Sequence, residues 1–163
     1  YVSQECAKLM NKSVKDLKIV TCHLGNGSSI CAVNKGISMD TSMGFTPLAG
    51  VEMGTRCGDI DPAIPLFLQK NKDMSIEEVD TIMNKKSGFL GVSGISSDLR
   101  DVTQKAKEMD ERCLLSLNIL SYQVKKYVGA YAAEMNGLDA IVFCGGVGEN
   151  TEEVRETSMK NMA

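Results

Sequence analysis

The chain has 163 residues, a formal net charge of −3, and 18 basic and 21 acidic side chains scattered along it. That is one domain's length, enough for a core without metal or disulfide staples, and the weak, unsegregated charge excludes an electrostatic surface for nucleic acid or anionic lipid. No apolar run approaches the roughly 18–20 residues of a membrane span, and six cysteines without CxxC spacing beside a single histidine exclude a familiar zinc set.

In chain order, residues 2–12 suit a short helix and the branched run LKIVTC (17–22) suits a buried strand. HLGNG follows as a turn, and SSICAVNKG suits a second strand. Lys35-Gly36 marks another turn before a third strand, ISMDTSM. These three strands predict an antiparallel meander. Residues 44–62 are loop-like, with glycines and Pro47. Asp61-Pro62 then reads as a cap and first helical position for PAIPLFLQK, and Ser75 with Glu78 makes a capping box for IEEVDTIMNKK.

SGFLGVSGISSD (87–98) reads as a second glycine-rich loop. The longest helix is predicted over about 110–136, where Cys113, Leu117, Leu120, Val124, Tyr127, Tyr131 and Met135 recur at steps of three or four. Asn136-Gly137 stops it. LDAIVFCGG is a strand entering a glycine turn, and NTEEVRETSMKN is a last helix capped by Asn150 or Thr151. A meander followed by a helical crossover to one more strand predicts an α/β fold with a mixed sheet and packed helices. Several cysteines lie in apolar runs, where a free thiol behaves as a small hydrophobe. Reduced thiols and a cytoplasmic location are expected. The opening on Tyr1 rather than methionine suggests a piece of a longer protein.

Four segments hold residues suited to phosphate chemistry. In HLGNGSS, glycines free the backbone to approach a ligand, and Asn26 and Ser28 add donors. Asn-Gly is equally the commonest two-residue hairpin turn, and both readings stand. His23, at the lip of that turn, either packs or hydrogen-bonds a ligand. CGGVGEN places a strand, a glycine turn and a helix start in the order that faces nucleotides. Neither segment meets GxGxxG or GxxxxGK[ST]. GTRCGDIDP presents Arg56, which either reaches a transferring phosphoryl group or is held by Asp59 and Asp61. SSDLR offers Asp98 and Arg100 for a ribose or base, or merely a helix cap.

Together HLGNGSSICAV, DTSMGFTPLAGVEMGTRCGDIDPAI, MNKKSGFLGVSGISSDLRDV and IVFCGGVGEN resemble the acetate kinases, in order and spacing, over nearly the whole chain. The match is to the second half of that longer enzyme. The resemblance implies one ribonuclease-H-like domain over residues 1–163, of the acetate and sugar kinase, Hsp70 and actin superfamily, with helices on both faces of a mixed sheet. It implies that His23, Leu24, Gly25, Asn26 and Gly27 hold ATP phosphates. By the same resemblance Asp98, Leu99 and Arg100, with Gly146, Val147, Gly148, Glu149 and Asn150, contact the nucleoside end, and Arg56 stabilises the phosphoryl group in flight.

ATP and acetate are then the substrates, and a homodimer through this domain is the assembly. Mg2+ is expected for the full enzyme, with its ligands outside this chain. So are the family's acetate-side arginine, aspartate and histidine. The chain alone is therefore expected to hold the nucleotide half of the site and to turn over little. A propionate or butyrate kinase, or a noncatalytic ATP-binding or dimerisation module, is the alternative.

Overall fold

The computed structural model describes residues 1–162. Its sheet starts from a meander: β1 (Lys18–His23) pairs antiparallel with β2 (Ser29–Asn34), and β2 with β3 (Ile37–Thr41). The last strand, β4 (Ala140–Cys144), returns parallel to β1, so the spatial order is β3-β2-β1-β4. Lys35 (φ 54°) and Gly36 (φ 82°) make the β2-β3 turn, the two positive φ values that a tight twisted hairpin needs. The helices are α1 (Val2–Leu9), α2 (Ala63–Lys72), α3 (Ile76–Lys85), α4 (Gly88–Ser93), α5 (Leu99–Lys107), α6 (Glu111–Glu134), α7 (Gly145–Asn150) and α8 (Glu152–Met159).

Side chains alternate across a strand, and here both faces of β1 and β2 are covered, while β3 is exposed throughout. Val20, Cys22, Ile30 and Ala32 join Leu120, Val124 and Val128 of α6, Val102 of α5 and Val154 of α8 in the main core. On the opposite face Ile19 and Val33 meet Cys6 and Ala7 of α1. The periodic stripe on α6 holds: Cys113, Leu120, Val124, Tyr131 and Met135 are buried, with Leu117 and Tyr127 packed beside them. Asp110 caps this helix by accepting from the Cys113 N–H at 2.9 Å. It stops where Gly137 N–H donates to Ala132 and Asn136 N–H to Ala133, a Schellman closure with left-handed Asn136.

Several boundaries differ from expectation. α1 ends at Leu9, not near residue 12, because Asn11 turns left-handed (φ 51°) and Lys12 N–H closes back on Ala7. The stretch 87–98 is not one loop: its glycines punctuate helix α4 at both ends. Gly88 (φ 61°) sits where an added Cβ would stand 2.0 Å from the Met53 carbonyl oxygen, and Gly94 (φ 72°) terminates the helix. α5, expected only as a cap, is a full helix burying Leu99, Val102 and Ala106. The glycine turn after β4 is itself helical, as α7. Thr151 occupies the cap position of α8 without a side-chain cap bond, and Asn150 instead donates back to the Gly146 carbonyl. The capping box Ser75-Glu78 forms in both directions.

Candidate nucleotide site

The β1-β2 connection is five residues, Leu24 to Ser28, and not a two-residue Asn-Gly hairpin. Ser28 closes it: its hydroxyl accepts from the Gly25 N–H (3.2 Å) and donates to the Gly25 carbonyl (3.1 Å). Leu24 anchors it, with a fully buried side chain and an N–H donating to the Cys144 carbonyl at 2.8 Å. The N–H groups of Asn26 and Gly27 have no acceptor among the described residues. These two donors sit at an exposed bend, where an anion can take them.

Arg56 reaches this loop from a separate segment. Residues 53–56 are seated on the start of α4: Phe89 N–H donates to Met53, Leu90 to Gly54 and Ser87 to Thr55. Gly54 N–H in turn donates to the Asn26 carbonyl at 3.1 Å. The guanidinium follows, with Nη1 donating to the Pro47 carbonyl at 2.7 Å and Nη2 at 3.1 Å from where a Gly27 Cβ would stand. The aspartates do not hold it. Asp59 accepts from Gly50 N–H and Tyr127 hydroxyl, and Asp61 from Ala63 N–H. Arg56 has no carboxylate partner among the described residues.

Beside the loop opens a cavity of about 770 Å³. Gly25, Asn26, Asp98, Leu99, Arg100, Gly146, Val147 and Asn150 line it, so the structure gathers eight of the expected residues around one space. Asp98 caps α5 through the Arg100 N–H (2.9 Å) and clasps the Arg100 side chain at 3.0 and 2.5 Å. These bonds from Arg100 hold the Asp98 carboxyl down at about 2. Leu99 turns its side chain into the core.

His23, Gly148 and Glu149 are not part of that lining. His23 is exposed at the strand end, 3.7 Å from the Cys144 thiol. Gly148 is buried against β1 and β4. Glu149 accepts from the Gly145 N–H at 3.1 Å. Val147 and Gly148 N–H groups both donate to the Leu24 carbonyl, at 2.9 and 3.2 Å. The N–H groups of Gly145, Val147 and Gly148 are thus spent within the protein, and the bare backbone that the start of α7 turns to the cavity is that of Gly146. Gly146 is different: an added Cβ would meet nothing within 4 Å.

Thr103, Gln104 and Lys107 of α5, and Thr151 and Glu153 at the start of α8, none of them marked by a binding motif, complete the lining. Lys107 and Glu153 pair across that wall at 2.9 Å. The signal was present as the Leu99, Val102, Ala106 spacing, which puts Arg100, Thr103, Gln104 and Lys107 on the helix face turned from the core.

The acetokinase family profile matches residues 1–163. The acetate kinase of Clostridium botulinum (strain Hall) is 56% identical over 162 residues, which is 99% of this chain and 41% of that protein. The crystal structure of Porphyromonas gingivalis acetate kinase superposes with a TM-score of 0.96 at 44% identity, covering 99% of this chain and 41% of that one. A propionate kinase from Francisella tularensis follows at 0.92 and 43%, covering 98% and 41%. The fold is thus the ribonuclease-H-like α/β domain of the acetate and sugar kinase superfamily. The chain spans about two fifths of the length of the relatives it matches, and it belongs to the acetokinase family.

Proposed function

We propose that this chain is the nucleotide-binding half of an acetate kinase, whose whole protein moves the γ-phosphoryl group of ATP to acetate. The observation that carries this is the placement of Arg56, a cation without a carboxylate partner, beside the free N–H groups of a glycine loop at one end of a large cleft. The nucleoside lies toward Asp98, Arg100, Gly146 and Asn150, and the phosphates run toward Asn26 and Gly27. An acetate oxygen attacks the γ-phosphorus, the bond to the bridging oxygen breaks, and ADP leaves. Such a transfer asks a protein mainly for positioning and charge neutralisation. Arg56 supplies the second, its planar fork matching the equatorial oxygens.

Magnesium chemistry is part of this reading. Among the described residues no group of three or more His, Cys, Asp or Glu side chains could hold a metal. When bound with the ATP phosphates the ion would neutralise their charge, held by residues outside these 163. A homodimer and a cytoplasmic location belong to the same proposal. Supporting the first, α2 buries no side chain and exposes Ile64, Leu66 and Phe67, of which Ile64 and Phe67 share an apolar side that a partner surface would cover. Supporting the second, all six cysteines are free thiols, and no helix among the described residues is long and apolar enough to cross a membrane.

The likeness to a propionate kinase favours one second reading, the same chemistry on a longer acid. The deciding experiment is the initial rate of acyl phosphate formation by the full-length protein with ATP and acetate, propionate or butyrate. The highest kcat/KM with acetate is expected. A preference for propionate or butyrate moves the protein to the alternative, and ADP binding without any transfer leaves a noncatalytic module.

A further inference from the structure

Glu52 lies four residues before Arg56 and is the one buried carboxylate among the described residues, with 2% of its surface exposed. One of its oxygens accepts from the Ser116 hydroxyl of α6 at 3.0 Å, and the other, Oε2, is buried without a partner. Its backbone N–H donates to the Gln123 side chain, also of α6, at 2.6 Å. Glu52 thus fastens the Arg56 segment to the long helix, while Met53, Gly54 and Thr55 fasten it to α4. A carboxylate with a single donor and no counter-ion is costly to bury, whereas a neutral carboxyl is not. Burial pushes the Glu52 carboxyl up to about 7, against the pull of the Ser116 bond.

A cavity of about 380 Å³ adjoins Glu52. The groups facing it are Cys57 of the same loop, the exposed Lys86 after α3, Ser87, the glycines and Val92 of α4, and Ile119 of α6. Lys86 is the only full charge there. Arg112, further along α6, is spent on the Gly91 and Val92 carbonyls at 3.0 and 2.7 Å. An ionised Glu52 keeps only the Ser116 bond against α6, its second oxygen having no partner there, and the adjoining cavity gives it room to swing toward Lys86 and water.

We infer that Glu52 is a positioning residue for Arg56: its uncharged carboxyl seats residues 51–57 against α6, and loss of its proton loosens that seat and frees Arg56 from its place beside Gly27. The importance of that place rests on the phosphoryl-transfer reading, but the seating does not. The sign follows from linkage. The seated loop holds the proton more tightly than the free loop, whose carboxyl has an ordinary value near 4.5. Seating therefore weakens as pH rises from the free value to the seated one, by about tenfold per pH unit at most, and levels off above it.

The test is amide hydrogen exchange of peptides covering residues 50–57 in the full-length protein, corrected for chemical exchange, from about pH 5 to pH 8. In the wild type, protection should fall with pH up to about 7 and then level off. Glu52→Gln keeps an acceptor for Ser116 and cannot ionise, so its protection should stay flat at the acid-side level. Should that variant not fold, Ser116→Ala removes the bond that favours the charged form, and the levelling point should move to higher pH. In parallel the kcat ratio of Glu52→Gln to wild type should rise over the same window while the KM for ATP stays put. Flat wild-type protection, an unchanged pH slope in Glu52→Gln, or a level kcat ratio over a titrating loop would each overturn the inference. If the full-length protein makes no acyl phosphate, the functional reading falls and the exchange profile alone decides this one.

Discussion

Arg56 is held by geometry and not by charge: a carbonyl bond to Pro47 and packing against Gly27 place it, and no carboxylate neutralises it. A cation so placed is worth most when negative charge spreads over a transferring phosphoryl group. Arg56→Ala in the full-length protein should therefore lower kcat by about 10²–10³-fold, the cost of removing one charge-stabilising donor, with ATP KM changed little. Steady-state kinetics checks this, and equal losses in ATP affinity and rate would make Arg56 a ground-state ligand. Asp98 does two jobs that substitution can separate. Asp98→Ala removes the α5 cap and should cost about 1 kcal/mol in thermal or chemical unfolding, whereas Asp98→Asn, itself a good cap, should cost little. Because Arg100 depresses the Asp98 carboxyl to about 2, the contribution of this clasp is complete above the ordinary value near 3.8 and fades as pH falls through about 2. The difference in stability between wild type and Asp98→Ala should shrink in that acid window.

At the scale of elements, α7 offers a clean separation of fold from binding. An alanine at Gly146 is better helix material than glycine by roughly 0.5–1 kcal/mol, and its methyl meets no protein atom within 4 Å. Gly146→Ala should leave melting temperature unchanged or raised, yet weaken ADP binding measured by calorimetry, because the methyl enters the cleft. Undiminished affinity would remove α7 from the nucleotide wall. The legibility of these elements in the sequence divides along physical lines. The strands, the capping box and the α6 stripe follow from local periodicity and cap chemistry, and their bounds agree within a few residues. The two short glycine-containing helices look like loops in the sequence because glycine's weak helix propensity is a local fact, while its necessity at Gly88 is a tertiary one set by the Met53 carbonyl. Arg56 was legible as a residue but not in its freedom from Asp59 and Asp61, since those carboxylates find Gly50, Tyr127 and Ala63 only after folding. The α5 side of the cleft went unread because Thr103, Gln104 and Lys107 carry no motif and acquire a role only through the helix face they share.

For the whole molecule, the main core closes around α6 within this chain, and all four strands pair. The isolated 163 residues should therefore fold and bind ADP, giving a single cooperative melt that ADP shifts upward. They should form acetyl phosphate far more slowly than the full-length protein, since an acceptor site is not among the groups gathered here. A rate near the full-length value would sink the two-halves reading. One feature sets the dimensions of the cleft. β1 and β4 run parallel in a register that sets His23 against Cys144, and the next carbonyl, Leu24, takes two N–H groups of α7. The bend that would grip phosphate and the helix that would flank the nucleoside are thus pegged to adjacent rungs of one ladder. The sheet works as a ruler: a slip of one rung would displace the two grips by about 3.3 Å. A ligand of different length could not be met by breathing at this corner, so adaptation to it within this chain has to come from the α5 wall.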